Sequence, residues 1–400
     1  MNRKISVGVA ISLVAIGCAI TFVLTWTISL RIYNSKIGAS ESYEGIYAKL
    51  REIDATVRTN YIGVGTMSDA QLEASVINGY VTGIGDKYAA YMAPSSYYEL
   101  QQTTGGVVSG AGIEVAEDGS GYLKITNVYK GSSAELNGVL VDDVITEIDG
   151  NSLLSMESGA ALERLSGEVG THLALKLLRS GEEVTVNLVR QQIEIESVSA
   201  QMLENNVGLI RITAFNAKTP EQFSEKLMQL ENLGAASLVI DVRQNAGGLI
   251  SALKPMLNRF IPAAIIATAE YADGSRKPLV ETDSDESISL PMAILVDGGT
   301  ASAAELFACA LRDECGAVLV GTQTYGKAVM QNTYEFTDGS AITISTAKIY
   351  PAKSACFDGT GLKPDYVSEL PAGSILQNLD IESDAQLQKA LEVLSLRAAQ

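Results

Sequence analysis

The chain has 400 residues, a formal net charge of −18 and a hydrophobic content of 46%. This length predicts two or three domains, and the composition excludes a globally disordered protein. Phosphate binding requires a basic surface, so the acidic balance argues against a nucleic-acid partner. The four cysteines include no CxxC pair, so no zinc site is expected, and no other metal or cofactor is implied.

The N-terminus predicts a membrane anchor. Residues 2–4 are Asn-Arg-Lys, and residues 5–30 are predominantly apolar and uncharged. Spanning a bilayer needs about 20 residues, and the basic end stays in the cytoplasm. We therefore expect residues 1–33 to be a cytoplasmic start and one transmembrane helix in the cell membrane, with the catalytic body extracytoplasmic. A cleaved signal peptide is the alternative, although its apolar core is usually only about 7–15 residues long.

Residues 34–104 are predicted to form an N-terminal helical region. Ile46, Leu50 and Ile53 recur at helical spacing, and Ser68 is expected to begin a second helix. Pro94 is expected to end the first regular part of this region.

Residues 105–192 have a different texture, in which short β-rich runs alternate with Gly and Asp turns. This pattern predicts a compact β-rich domain. The predicted strands are 123–128, 144–148, 173–178 and 184–189, and residues 160–165 are predicted to be a short helix.

Residues 193–370 alternate between predicted strands and helices. The strands are expected at 238–242, 293–296 and 317–320, and the helices at 223–233, 249–260 and 301–312. The alternation predicts an α/β domain whose sheet is largely covered. Residues 371–400 are expected to form a C-terminal helical segment, with an amphipathic helix at 384–396.

The single histidine limits the chemistry available to a hydrolase. His172 lies in the β-rich domain, so a Ser-His-Asp triad has only one candidate base, and we expect His172 to have a surface or structural role. A lysine can act as the base instead if burial beside apolar groups removes its proton.

Ser302 lies in the run Asp297–Glu305, which follows a predicted buried strand and begins a helix. Small residues flank it, so a substrate has close access. The positive end of the helix dipole favours a developing anion there, which suits a nucleophile. The same position also suits a simple helix cap, and from local sequence alone capping is the simpler interpretation.

Lys327 lies in the run Gly321–Ala328, which nearly matches a P-loop. Ala328 replaces the hydroxyl residue that would hold Mg²⁺, and the following residues are predicted to be a strand rather than a helix. Nucleotide binding is therefore disfavoured. A third run, Asp241–Leu249, combines a strand, a Gly turn and a helix start, where exposed amides can receive an oxyanion.

Together these three runs resemble the carboxyl-terminal processing peptidases, also called tail-specific proteases. The family motifs are D-x-R-x-N-x-G-G, then G-[ST]-A-S-A-[SA]-E, then T-x-G-K with a glutamine four residues after the lysine. The chain matches them in this order, beginning at Asp241, Gly299 and Thr324. The resemblance implies an α/β protease core with a ClpP/crotonase-like sheet and helices.

The resemblance also implies roles for individual residues. Ser302 attacks the peptide carbonyl, Lys327 takes its proton, and Gln331 orients the lysine amine. The oxyanion hole is expected to combine the Ala303 amide with an amide of the pair Gly247 and Gly248, and which of the two glycines contributes stays open.

The β-rich domain resembles a PDZ domain. Gly110, Ala111, Gly112 and Ile113 match its carboxylate-binding loop, and residues 131–150 match the rest of its pattern. Such domains bind a peptide C-terminus by strand addition. An ordinary hairpin turn is the alternative for the Gly-rich loop taken alone.

The sequence therefore predicts a serine endopeptidase that cleaves exported proteins near their C-terminal tails. Its partners are expected to be protein or peptide substrates with free C-termini, the membrane through the N-terminal helix, and, from the resemblance, a second copy in a homodimer. The alternative is a catalytically inactive PDZ scaffold that binds peptides.

Overall fold

The computed structural model describes residues 40–156, 160–371, 373–376 and 379–398, together with residues 21 and 25. Apart from positions 21 and 25, the expected anchor at residues 1–33 lies outside the described residues. Within the described part, no helix is both long enough and apolar enough to cross a membrane. The chain divides into two compact units, of which the first ends at Ile77 and the second begins at Asn78.

Helices α1 (Ser40–Asn60) and α2 (Asp69–Gly83) are followed by strand β1 (Ala90–Met92) and helix α3 (Pro94–Gly105). The Ser68 hydroxyl accepts a hydrogen bond from Gln71 N at 3.3 Å, which confirms the predicted helix start. The first regular part of this region ends before Pro94, and a further helix, α3, begins at this residue. Proline suits the first turn of a helix, where the N–H groups have no intrahelical acceptor.

The β-rich domain follows. Its elements are β2 (Val107–Gly110), β3 (Ile113–Glu117), β4 (Leu123–Val128), α4 (Ser133–Leu136), β5 (Val144–Ile148), β6 (Asn151–Ser152), α5 (Ala160–Leu165), β7 (His172–Arg179), β8 (Glu182–Val189) and β9 (Gln191–Glu194). The main sheet has the order β3-β4-β5-β7-β8, and β2 pairs with β9 separately. Leu173, Leu175 and Leu177 alternate along β7 and are buried, as a half-covered strand requires.

The remaining elements form the core domain. They are β10 (Val198–Met202), β11 (Val207–Ile212), α6 (Thr219–Asn232), β12 (Ser237–Asp241), α7 (Leu253–Leu257), β13 (Ala264–Tyr271), β14 (Arg276–Thr282), β15 (Met292–Val296), α8 (Ala303–Cys315), β16 (Val318–Gly321), β17 (Val329–Glu335), β18 (Ala341–Pro351), β19 (Tyr366–Val367) and α9 (Ala385–Ala398).

The principal sheet of the core has the order β10-β11-β12-β15-β16-β19 and is parallel from β11 onward. All five residues of β15 are buried, which is typical of a parallel strand covered on both faces. Ile240 packs on one face with Phe223 of α6 and Phe307 of α8. Val239 packs on the other face with Leu387 of α9. The predicted α/β domain with a covered sheet is therefore confirmed.

Two features of the core differ from the expectation. The helix expected at 249–260 is a 3₁₀ turn at Ile250–Ala252 followed by the short α7. Pro255 lies in the first turn of α7, and because proline lacks an N–H and clashes with the preceding turn, α7 cannot extend back through residues 249–252. A second, antiparallel sheet of order β1-β18-β13-β14, with β17 also paired to β18, was not predicted.

Candidate active site

Ser302 is the residue that precedes α8, and its backbone is strained. Its φ is 55° and its ψ is −117°, a region that costs a residue with a Cβ about 1–3 kcal/mol. A residue that only caps a helix has extended backbone angles, so capping does not explain this conformation. Strain of this kind is found at functional sites, including the strand-to-helix turn that presents the nucleophile of many hydrolases.

The carboxylate of Glu305 joins the serine segment to the lysine segment. Glu305 is fully buried, and its Oε2 accepts hydrogen bonds from the backbone amides of Ser302 and Lys327, each at 2.9 Å. Its Oε1 accepts from Gly326 N at 2.8 Å and from the Thr324 hydroxyl. Since both amides reach the same oxygen, Ser302 N and Lys327 N are less than twice that distance apart.

Lys327 is half-buried, and its amine contacts two groups. Its Nζ donates to Gln331 Oε1 at 2.6 Å and lies 4.8 Å from the centre of the Tyr88 ring. Burial lowers the pKa of Lys327, and the charge of Asp86 opposes this shift. A lowered pKa enlarges the neutral fraction of the amine, which a general base requires. Among the described residues no hydrogen bond joins Lys327 Nζ to Ser302 Oγ; such bonds between catalytic groups often tighten only around a substrate.

Gln331 lies on β17 and reaches in two directions. Besides accepting from Lys327, its Nε2 donates to the Tyr88 carbonyl at 2.8 Å. A β-bulge leaves Thr346 of β18 as the extra residue between the partners of Met330 and Gln331, so β17 itself has no inserted residue here. Residues 321–328 lead into this strand and not into a helix, which removes the geometry that a P-loop needs.

The two adjacent glycines have different positions at this site. A Cβ on Gly247 would lie 2.7 Å from Ala301 O and 2.9 Å from Ala303 N, so only glycine allows this close approach to the Ser302 turn. Gly247 N already donates to Asn245 Oδ1 at 2.9 Å. No described acceptor receives the amide of Gly248 or Ala303. Of the two glycines, Gly248 therefore has its amide available to a substrate.

Asp241 and Arg243 from the first motif form a buried ionic network. The Arg243 guanidinium donates to both oxygens of Asp241 and of Asp384, and also to Gln386 Oε1 at 3.0 Å. Burial alone would lower the pKa of Arg243, but the two carboxylates raise it above its usual value. The network fixes the chain just before α9 to the turn that carries Gly247, so its role is structural.

In the β-rich domain, the predicted carboxylate-binding loop joins β2 to β3. Gly112 has a φ of +91°, and a Cβ on it would lie 2.1 Å from Ser132 Cβ. Strand β3 pairs only with β4, so its other edge is unpaired by the described strands of its sheet. An apolar cavity of about 350 Å³ lies between β3 and α5, with Val115 and Leu162 in its lining. His172 is exposed at the start of β7 in this domain.

The sequence did not assign a role to Glu305, Asp86 or Tyr88. The S-x-x-E spacing of Ser302 and Glu305 is that of a capping box, so the first of these could have been found. No signal near Asp86 or Tyr88 indicates that they lie beside Lys327, because the contact depends on the pairing of β1 with β18.

Comparison with known proteins gives consistent matches. Residues 206–368 match peptidase family S41, and residues 124–179 match a PDZ domain. The chain is 29% identical over 385 residues to the carboxy-terminal processing protease CtpA of Bacillus subtilis, and the aligned region covers 96% of this chain and 81% of that protein. It is 31% identical over 328 residues to a carboxyl-terminal-processing protease of Synechocystis, and the aligned region covers 80% of this chain and 76% of that protein.

A solved S41 protease from Bacteroides fragilis has the same fold, with a TM-score of 0.50 and 18% identity, and the match covers 86% of this chain and 97% of that one. These matches confirm the resemblance drawn from the motifs, and they confirm the PDZ domain. The chain belongs to peptidase family S41 and is a serine endopeptidase of the carboxyl-terminal processing type with a PDZ domain.

Proposed function

We propose that Ser302 is the nucleophile, that Lys327 is the general base and that Gln331 orients the lysine amine. The observation that carries this proposal is the buried Glu305, which holds the backbone amides of Ser302 and Lys327 on one oxygen. The backbone of a serine in a strained turn and the backbone of a lysine of lowered pKa are thereby held close together, which supports a nucleophile and base from these two segments.

In this mechanism the neutral Lys327 amine removes the Ser302 hydroxyl proton as Oγ bonds to the scissile carbonyl carbon. The carbonyl oxygen becomes an oxyanion. The resulting ammonium gives its proton to the leaving amine as the C–N bond breaks, and water then hydrolyses the acyl-enzyme with Lys327 again as base. The Gln331 amide oxygen accepts from the amine throughout and keeps it directed.

The oxyanion is assigned to the amides of Ala303 and Gly248. Ala303 N is the first amide of α8, where the positive end of the helix dipole adds to the hydrogen bond. Gly248 is preferred to Gly247 because the Gly247 amide is already bonded to Asn245.

The PDZ domain is proposed to bind the C-terminal tail of the substrate. The tail would add as a strand to the free edge of β3, with its carboxylate at the loop formed by Gly110, Ala111, Gly112 and Ile113. The apolar cavity between β3 and α5 would take apolar side chains of that tail.

The place of action is proposed from the sequence alone. The uncharged apolar run at residues 5–30, preceded by Arg3 and Lys4, supports a single-pass anchor with the catalytic body outside the cytoplasmic membrane. The substrates would then be exported proteins. The proposed homodimer rests on family resemblance.

Two variants of the full-length protein test the catalytic assignment. Ser302→Ala and Lys327→Ala should each abolish cleavage of an unfolded protein substrate, as measured by mass spectrometry of the products, while the circular dichroism spectrum stays unchanged. Retained cleavage in either purified variant would refute the assignment. If the wild type binds C-terminal peptides but yields no products, the chain is instead an inactive PDZ scaffold.

A further inference from the structure

A short segment from outside the protease motifs lies beside Lys327. Residues 86–88 precede β1, which pairs with β18 at Ala90↔Thr343 and Met92↔Ala341. From the contacts of this segment, we propose that Asp86 is a positioning residue that fixes the Gln331 amide, and through it the amine of Lys327, by holding the Tyr88 backbone. The proposal rests on the assignment of Lys327 as the base.

The first step concerns the polarity of the Gln331 amide. Its Nε2 donates to the Tyr88 carbonyl at 2.8 Å, while its Oε1 accepts from Lys327 at 2.6 Å. A carbonyl oxygen can only accept, so the NH₂ group must face Tyr88 and the oxygen must face the lysine. A flipped amide would direct its own hydrogens at the amine. The Tyr88 carbonyl therefore selects the one orientation in which Gln331 can orient the base.

The second step is the attachment of Tyr88 by Asp86. Asp86 Oδ1 accepts from Tyr88 N at 3.0 Å and from the Ser345 hydroxyl at 3.1 Å, and Oδ2 accepts from Ser345 N at 2.7 Å. Ser345 is the partner of Gln331 in the β17–β18 pairing. Burial alone would raise the pKa of Asp86, but these hydrogen bonds and the charge of Lys327 hold it below the usual value. Asp86 thus ties Tyr88 to Ser345. Because Ser345 is the strand partner of Gln331, this places the Tyr88 carbonyl beside the amide that it orients.

Asp86 also acts on Lys327 by its charge. Glu305 and Asp358 accept backbone amides of the lysine segment, and Lys87 lies on the same tyrosine ring at 4.6 Å. Of these charged groups, Asp86 is the one whose charge raises the pKa of Lys327. Removal of Asp86 therefore has two separable effects, which are a loss of geometry at every pH and a lower pKa of the base.

The test measures cleavage of an unfolded protein, and labelling by a fluorophosphonate probe as a function of pH, in the full-length protein. Asp86→Ala should lower kcat by about 10- to 100-fold, the cost of a small displacement of a catalytic group, and change KM less than twofold. The acid limb of labelling should move to lower pH. Asp86→Asn keeps an acceptor for Tyr88 N but places its NH₂ group against Ser345 N, so it should recover part of kcat and retain the pH shift.

The matched control is Asp273→Ala, which removes a similar contact, from Ser275 N to Asp273 Oδ1 at 2.9 Å, in the β13–β14 turn. It should leave kcat and the pH profile unchanged. If Asp86→Ala and Asp86→Asn keep the wild-type kcat and pH profile while Lys327→Ala is inactive, the inference fails and the catalytic assignment stands. A loss of kcat that Asp86→Asn does not recover, with no pH shift, also overturns the inference and assigns Asp86 a structural role. An active Lys327→Ala variant refutes the catalytic assignment itself.

Discussion

Glu305→Gln perturbs the junction between nucleophile and base while keeping the shape of the side chain. The glutamate accepts four hydrogen bonds, two on each oxygen. The glutamine retains one acceptor oxygen. The least costly orientation directs that oxygen at the amides of Ser302 and Lys327 and places the NH₂ group against Gly326 N, which is itself a donor.

The magnitude follows from the groups that lose an acceptor. Gly326 N is left without a partner, and the Thr324 hydroxyl hydrogen also loses its acceptor, because the NH₂ group that replaces Oε1 is itself a donor. Each buried unpaired donor costs about 1–3 kcal/mol, so the free energy of unfolding should fall by about 2–6 kcal/mol. Displacement of the lysine segment should lower kcat by about 10- to 100-fold.

Urea unfolding followed by circular dichroism, together with cleavage of an unfolded substrate, measures both effects. Glu392→Gln, in α9, is the control, because Glu392 forms a solvent-exposed (i, i+3) pair with Lys389 and such pairs contribute less than about 1 kcal/mol. If Glu305→Gln matched the control in both stability and kcat, the carboxylate would not be what holds the two segments together.

Three further predictions concern other parts of the molecule. Because burial lowers the pKa of Lys327, kcat/KM should rise with pH through an apparent pKa below the 10.5 of an ordinary lysine, and a pH profile flat up to 10.5 would contradict this. Arg243→Met leaves two buried carboxylates without their cation and should destabilise the protein by about 3–5 kcal/mol in urea unfolding at neutral pH. Burial alone would raise the pKa of Asp384, but Arg243 holds it below the usual value. The stabilisation by the Arg243–Asp384 pair is therefore complete above about pH 4 and is lost as pH falls through the lower, folded-state pKa of Asp384. An Arg243→Met variant as stable as the wild type at pH 7 would contradict this prediction. Gly112→Val should abolish binding of a C-terminal peptide in fluorescence polarisation, with an amidated peptide as control, because its Cβ would overlap Ser132; unchanged affinity would exclude this loop as the carboxylate site.

Local features of the chain were predictable because they depend on neighbouring residues. The bounds of β4, β5 and α5 follow from runs of apolar residues between Gly and Asp turns, and the structure reproduces them. Ser302 and Lys327 were identified because each lies in a short motif whose order along the chain is distinctive. Helix bounds near prolines were less predictable, since the start of α3 at Pro94 was not predicted.

The sequence by itself thus determined the family, the domain types and the candidate nucleophile and base. Only the tertiary structure decided how they are held. The selection of Gly248 over Gly247 depends on a side-chain bond from Asn245 that no spacing reveals. The contact of Tyr88 with Gln331 joins residues far apart in the chain, and it exists because β1 pairs with β18. Motifs record residues that are close in sequence, whereas the geometry around Lys327 is set by hydrogen bonds between segments that only folding brings together.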